Sequence, residues 1–146
     1  MTDRPRAVLD TNIFVAAALS RNSTSPNREV LDRWRRNEFV LIICTPLAKE
    51  IVEKLLERNI EISQVENLVA ALVKLAEWVE VPEDKIEALL SDPDDNVIVA
   101  CAVQGQANYL VTYDPHFETL GSVYKSIQIV KAIPFLEVLR KQNESA

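Results

Sequence analysis

Short apolar runs alternate along the whole chain with longer segments whose apolar residues recur at helical spacing, and this alternation leaves few folds open. The short runs read as strands at Ala7 to Asp10, Phe39 to Cys44, Trp78 to Val81 (closed by Pro82), Tyr109 to Tyr113 and Ile127 to Val130. Helices are expected from Ile13, over Pro26 to Asn37, and from Thr45-Pro46, with Thr45 as N-cap and Pro46 at the first helical position. Further helices fit Ser63 to Leu75, a short piece around Lys85 to Leu90, Asn96 to Gly105, and Phe135 to Gln142 opened by Pro134. Strands that alternate with helices pair in parallel through crossovers that cover both faces of the sheet. The expected class is therefore α/β, a three-layer α/β/α domain over residues 1–146 with a mainly parallel central sheet. In such sheets ligands gather at the carboxyl ends of the strands.

Composition removes several functions. A chain of 146 residues buries roughly 70% of its unfolded surface and needs no staple. Cys44 and Cys101 sit in apolar surroundings without metal spacing, which fits buried thiols in a reducing compartment. No apolar run reaches a membrane span and the first residues lack a secretory pattern, so a cytoplasmic protein without membrane contact is expected. The two glycines, Gly105 and Gly121, cannot build a Gly-rich phosphate loop. A net charge of −6 argues against a general nucleic-acid coat but leaves room for a local basic face. Arg28, Arg33, Arg35 and Arg36, with Arg4 and Arg6, are the candidates for one, and a solvated helix face is their plainer reading.

Asp10 is the residue hardest to reconcile with simple packing, because it stands between Ala7-Val8-Leu9 and the apolar run from Ile13 to Leu19. It ends the first expected strand, as Asp114 ends the strand before it. Asp95 opens the helix after Ser91-Asp92-Pro93-Asp94, and Glu50 lies one turn into the helix begun at Thr45. Parallel strands would bring Asp10, Glu50, Asp95 and Asp114 to one edge. Each acid also has an ordinary reading: Asp10, Asp94 or Asp95 as a helix cap, Glu50 as a surface partner of Lys54, and Asp114-Pro115 as a turn.

Two like charges about 4 to 5 Å apart repel by a few kcal/mol at an effective dielectric near 20, so such a cluster calls for a cation. Oxygen ligands favour Mg²⁺ or Mn²⁺ over zinc, and the single histidine, His116, reads as a turn residue. With one histidine and no G-x-S-x-G, nucleophilic serine or cysteine schemes have little support. Carboxylate-held Mg²⁺ suits phosphoryl chemistry: it activates water and offsets charge at phosphorus, with one or two ions possible.

The stretches VLDTNIFVAAAL, TPLAKEI, DPDDNVIVACAV, NYLVTYDPHF and IQIVKAIPFLEVL, in that order over almost the whole chain, resemble the PIN-domain proteins. The branch they resemble most is the VapC-like toxin component of bacterial or archaeal toxin–antitoxin pairs. The resemblance implies a small metal-dependent ribonuclease with Asp10, Glu50, Asp95 and Asp114 as catalytic metal ligands for Mg²⁺ or Mn²⁺. It implies Asn12 and Thr112 as polar residues orienting those acids, and it leaves Asp94 and Asp92 as further candidate acids. Asn96 falls where some relatives carry another acid. It also implies an RNA substrate, a cognate antitoxin and frequent homodimers. The helices around Val30-Leu31-Trp34 and Val65 to Leu75 carry apolar surface suited to a second subunit. The competing reading is a catalytically silent PIN-like module that binds RNA or a partner protein. A Mg²⁺ phosphotransfer domain fits worse, since Asn12 stands where a phosphatase of the haloacid-dehalogenase type needs a second aspartate.

Overall fold

The structure, a computed structural model, describes residues 4–145. Its strands are β1 (Arg6–Leu9), β2 (Val40–Ile43), β3 (Glu77–Trp78), β4 (Tyr109–Val111), β5 (Val123–Tyr124) and β6 (Ile127–Val130). Its α-helices are α1 (Thr11–Leu19), α2 (Pro26–Arg35), α3 (Thr45–Glu57), α4 (Ile62–Leu75), α5 (Pro93–Gln104) and α6 (Ala132–Ser145). The strands form one sheet in the order β3-β2-β1-β4-β6-β5, parallel throughout except for β5 against β6. β1 and β2 are apolar without alternation because helices bury both faces.

Side-chain parity shows how the layers lie. Ile42, in register with Val8 and Leu110, meets Gly105 at the end of α5, while Tyr109, in register with Ala7, meets the ring of Phe135 on α6 at 5.3 Å. Successive strand residues face opposite ways, so α5 and α6 cover opposite faces. The expected three-layer α/β arrangement with a mainly parallel sheet is the observed one. Among the described residues no helix is long and apolar enough to cross a membrane.

The differences from the sequence reading have local causes. β3 keeps only two exposed residues at the sheet edge, where no apolar cover rewards a longer ladder. β5 escapes sequence detection because its hairpin turn, Lys125 and Ser126 at φ 46° and 68°, lacks the Asn-Gly or Gly-Gly signature of left-handed turns. The helix expected over Lys85 to Leu90 is only a 3-10 turn, Glu83–Lys85. Beyond it the Asn96 carboxamide takes over the backbone, accepting from Leu89 N (3.1 Å) and Leu90 N (2.7 Å) and donating to Leu90 O (3.0 Å). Asn96 is thus a loop clamp and does not stand in for an acid. Thr45 is the first helical residue of α3, with Cys44 at the cap position. α6 opens at Ala132, which leaves Pro134 in its first turn, where a missing N–H costs nothing. Cys44 and Cys101 are free and fully buried, as expected.

Gly105 is where α5 meets the sheet. A Cβ there would stand 2.5 Å from Ile42 Cγ2 and 3.2 Å from Cys101 O, and Ile42 is wholly buried. Gly105→Ala should therefore lower unfolding free energy by about 1–3 kcal/mol through overpacking. Urea denaturation with an unchanged m-value would report it, and a gain in stability would refute the close approach.

Candidate active site

The parallel ladders run one residue past the regular strands. Asp10 N donates to Val111 O at 2.9 Å and Thr112 N to Val130 O at 2.9 Å, which sets Asp10 beside Thr112 at the carboxyl edge of the sheet. Asp10 is 5% exposed and Thr112 5%. The Thr112 hydroxyl donates to Asp10 Oδ2 at 2.7 Å and accepts from Asp114 N at 2.9 Å, so one threonine orients two acids. Asp10 Oδ1 accepts from Thr11 N at 2.7 Å, at the start of α1. Asp10 is therefore both a helix cap and a site carboxylate, two roles that the sequence presented as alternatives. Burial raises its pKa, opposed by the Thr112 and Thr11 hydrogen bonds and reinforced by Asp114.

Asp95 approaches from α5. It is 6% exposed, and its Oδ2 is buried without a hydrogen-bond partner. Burial, with the charges of Asp92, Asp114 and Asp10, pushes it up to about 6. Asp92, and neither Asp94 nor Asp95, caps α5: its Oδ1 accepts from Asp94 N at 2.9 Å. Asp114 caps the following 3-10 turn, Pro115–Leu120, by accepting from His116 N at 2.9 Å. That turn folds His116 back toward the acids, its Nδ1 3.3 Å from Asp114 Oδ1 and 3.6 Å from Asp95 Oδ2. The ligand atoms of Asp95, Asp114 and His116 lie within 4.8 Å of one another. The sequence reading of His116 as a turn residue holds, and the same turn brings its imidazole to Asp114 and Asp95, a proximity the sequence reading did not expect.

Glu50, one turn into α3, lies near enough to Asp94 and Asp10 to feel their charge. It is partly buried, and burial together with Asp94 and Asp10 raises its pKa. With Lys49, Pro46, Asp94, Val97 and Ile98 it lines a cleft of about 160 Å³. Asn12 makes no hydrogen bond to Asp10. Its Oδ1 is buried without a hydrogen bond, so the hydrogen bonds that hold Asp10 come from Thr112 and the Thr11 backbone.

The arrangement fits a divalent cation on grounds independent of any family. Asp95 Oδ2 is buried without a hydrogen bond, with His116 Nδ1 3.6 Å away, and it lies beside carboxylates whose pKa values are raised by burial and by neighbouring acids. Orphaned acceptors of this kind are rare and costly unless something positive meets them. The donor set is mostly carboxylate oxygen with one imidazole.

The raised Asp95 has a consequence for stability. Its folded pKa, about 6, lies above its ordinary 3.8, so the folded state holds that proton more tightly than the unfolded chain. The resulting stabilisation is present below about pH 4 and lost as pH rises through about 6. In EDTA, melts of the wild type should fall relative to Asp95→Asn across that window, and Mn²⁺ at neutral pH should raise the wild type alone. Parallel pH profiles for the two proteins would contradict the buried, unpartnered carboxylate.

A family model of the PIN domain matches residues 6–116. Among solved structures, the chain resembles VapBC2 from Rickettsia felis, crystallised bound to a DNA fragment from their promoter, with a TM-score of 0.58 at 15% identity. That match covers 85% of this chain and 98% of the other. No curated protein sequence matches significantly. The family match takes in β1 and Asp10, both acid-bearing helices, and β4 through His116, and this chain is a member of the PIN-domain family.

Proposed function

We propose that this PIN domain is a metal-dependent endoribonuclease that hydrolyses RNA phosphodiester bonds, acting as the toxin of a toxin–antitoxin pair. The observation that carries the nuclease reading is the Asp95 carboxylate, whose buried Oδ2 makes no hydrogen bond and which feels the charges of Asp114 and Asp10. Asp10, Asp95, Asp114 and Glu50 would hold Mg²⁺ or Mn²⁺, with His116 at the mouth and Asp94 beside Glu50 as a further acid. Asp92 acts on Asp95 through its charge while capping α5. Bound there, such an ion polarises the phosphodiester and lowers the pKa of an attacking water. Thr112 and the Thr11 N–H hold Asp10 in one orientation, which removes a reorganisation cost at the moment of reaction.

The likeness to VapBC2 supports an antitoxin partner. A homodimer belongs to the same reading, through α4 and not α2. Val30 and Trp34 of α2 are buried in the core, whereas α4 leaves Ile62 67% and Val73 68% exposed. Light scattering at tens of micromolar tests the dimer.

Purified protein should cleave members of a broad RNA panel with Mn²⁺ or Mg²⁺ and not in EDTA. Thr112→Val should lose roughly 10- to 100-fold in activity or metal affinity, and Asp10→Asn and Asp95→Asn should lose more. Equal activity of wild type and Asp10→Asn would sink the reading; RNA binding without turnover under any metal would favour a silent binding module.

A further inference from the structure

The carboxyl edge that gathers the acids also carries a free cation. The β4–β6 register pairs Val111 with Val130, and the bond from Thr112 N to Val130 O continues it, so Lys131 stands beside Thr112 in the row that holds Asp10. Residues of one row point to one face, and this row shares the parity of Ile42, which meets α5. Lys131 therefore lies on the α5 face with Asp10, Thr112 and Asp95. At a strand spacing of about 4.8 Å it starts roughly 10 Å from Asp10, within reach of a flexible lysine stem. Its side chain is exposed and, among the described residues, has no ion-pair or hydrogen-bond partner.

Most arginines that made a basic face plausible are otherwise engaged. Arg33 bonds Glu29 (2.8 Å) and Glu38 (2.6 Å), and Arg36 approaches Glu38 at 3.4 Å. Arg6 pairs with Glu77 and donates to Gly105 O, and Arg4 donates to Asn37. Arg4 and Arg6 stand at the start of β1, and Glu38 and Asn37 just before β2, so these pairs mark the amino edge of the sheet, opposite the acids. An anionic strand drawn to a carboxylate-lined edge meets repulsion there except where a cation offsets it.

We propose that Lys131 binds the RNA phosphate flanking the bond that is cut, holding the strand in register with Asp10 and Asp95; this assignment rests on the ribonuclease reading. A lysine suits the task because it offers a point charge with three donors and demands no fixed planar partner. Its contact is with substrate alone, so it contributes to binding and not to metal retention.

The test uses a fluorescein-labelled single-stranded RNA pool of randomised sequence, with anisotropy titrations across salt and steady-state cleavage in Mn²⁺. Lys131→Ala should weaken binding severalfold and flatten the plot of log affinity against log salt by about 0.7, the share of one single-strand phosphate contact. KM should rise with little change in kcat, and Lys131→Arg should restore both. The melting temperature and its response to Mn²⁺ should match the wild type. If the wild type binds and cuts RNA while Lys131→Ala keeps the same affinity, salt slope and KM, the assignment of Lys131 is overturned and the ribonuclease reading stands. If the wild type neither binds nor cuts RNA, the ribonuclease reading fails and Lys131 loses its role with it.

Discussion

The parallel pairing of β1 with β4 is the constraint on which the acidic edge depends. Because Leu9 pairs with Val111, the next residue of each strand, Asp10 and Thr112, must lie side by side, and a slip of β1 by one residue would turn Asp10 to the face opposite Thr112. The register is enforced by burial of Ala7, Val8, Leu9, Leu110 and Val111, each nearly inaccessible. A rigid apolar ladder thus fixes a polar pair to within a hydrogen bond, and the 2.7 Å contact between them is its consequence. Precision of that kind suits a site whose chemistry depends on carboxylate orientation.

Burial and like charge act together on the acids. Each is costly alone, and here desolvation and the charge of nearby acids, among them Asp114 for Asp10, Asp94 for Glu50 and Asp92 for Asp95, raise the pKa of Asp10, Glu50 and Asp95. A fold selected only for stability would place amides or apolar side chains at these positions. The buried Asp95 oxygen makes no hydrogen bond, which leaves its desolvation cost largely uncompensated by the protein.

The Asp10 question shows how far residue patterns reach. A carboxylate between two apolar runs offers a choice between a helix cap and a ligand, and the chain uses both: one oxygen faces the Thr11 N–H and the other the Thr112 hydroxyl. Asn96 shows the opposite outcome, since a residue at an acid's place is turned toward the preceding loop and satisfies its backbone. Sequence proximity placed both residues near the site, but the direction of each side chain follows from the turn of the helix that carries it. The arginines teach the same lesson. Clustered in sequence, Arg33 reaches Glu29 and Glu38, Arg36 reaches Glu38 and Arg6 reaches Glu77 in the fold, while Lys131, which no cluster announced, joins the row of Asp10.

By itself the sequence determined the α/β alternation, the mainly parallel character of the sheet, the buried cysteines and the set of acids near strand ends, because each rests on local periodicity or on the cost of burying a charge. Only the tertiary structure decided which atoms meet. Thr112 rather than Asn12 bonds Asp10, His116 folds back to Asp95 and Asp114, and Lys131 joins the Asp10 row. Those contacts join residues as much as 102 positions apart, and their geometry is set by strand register and helix packing, neither of which any local stretch of sequence encodes.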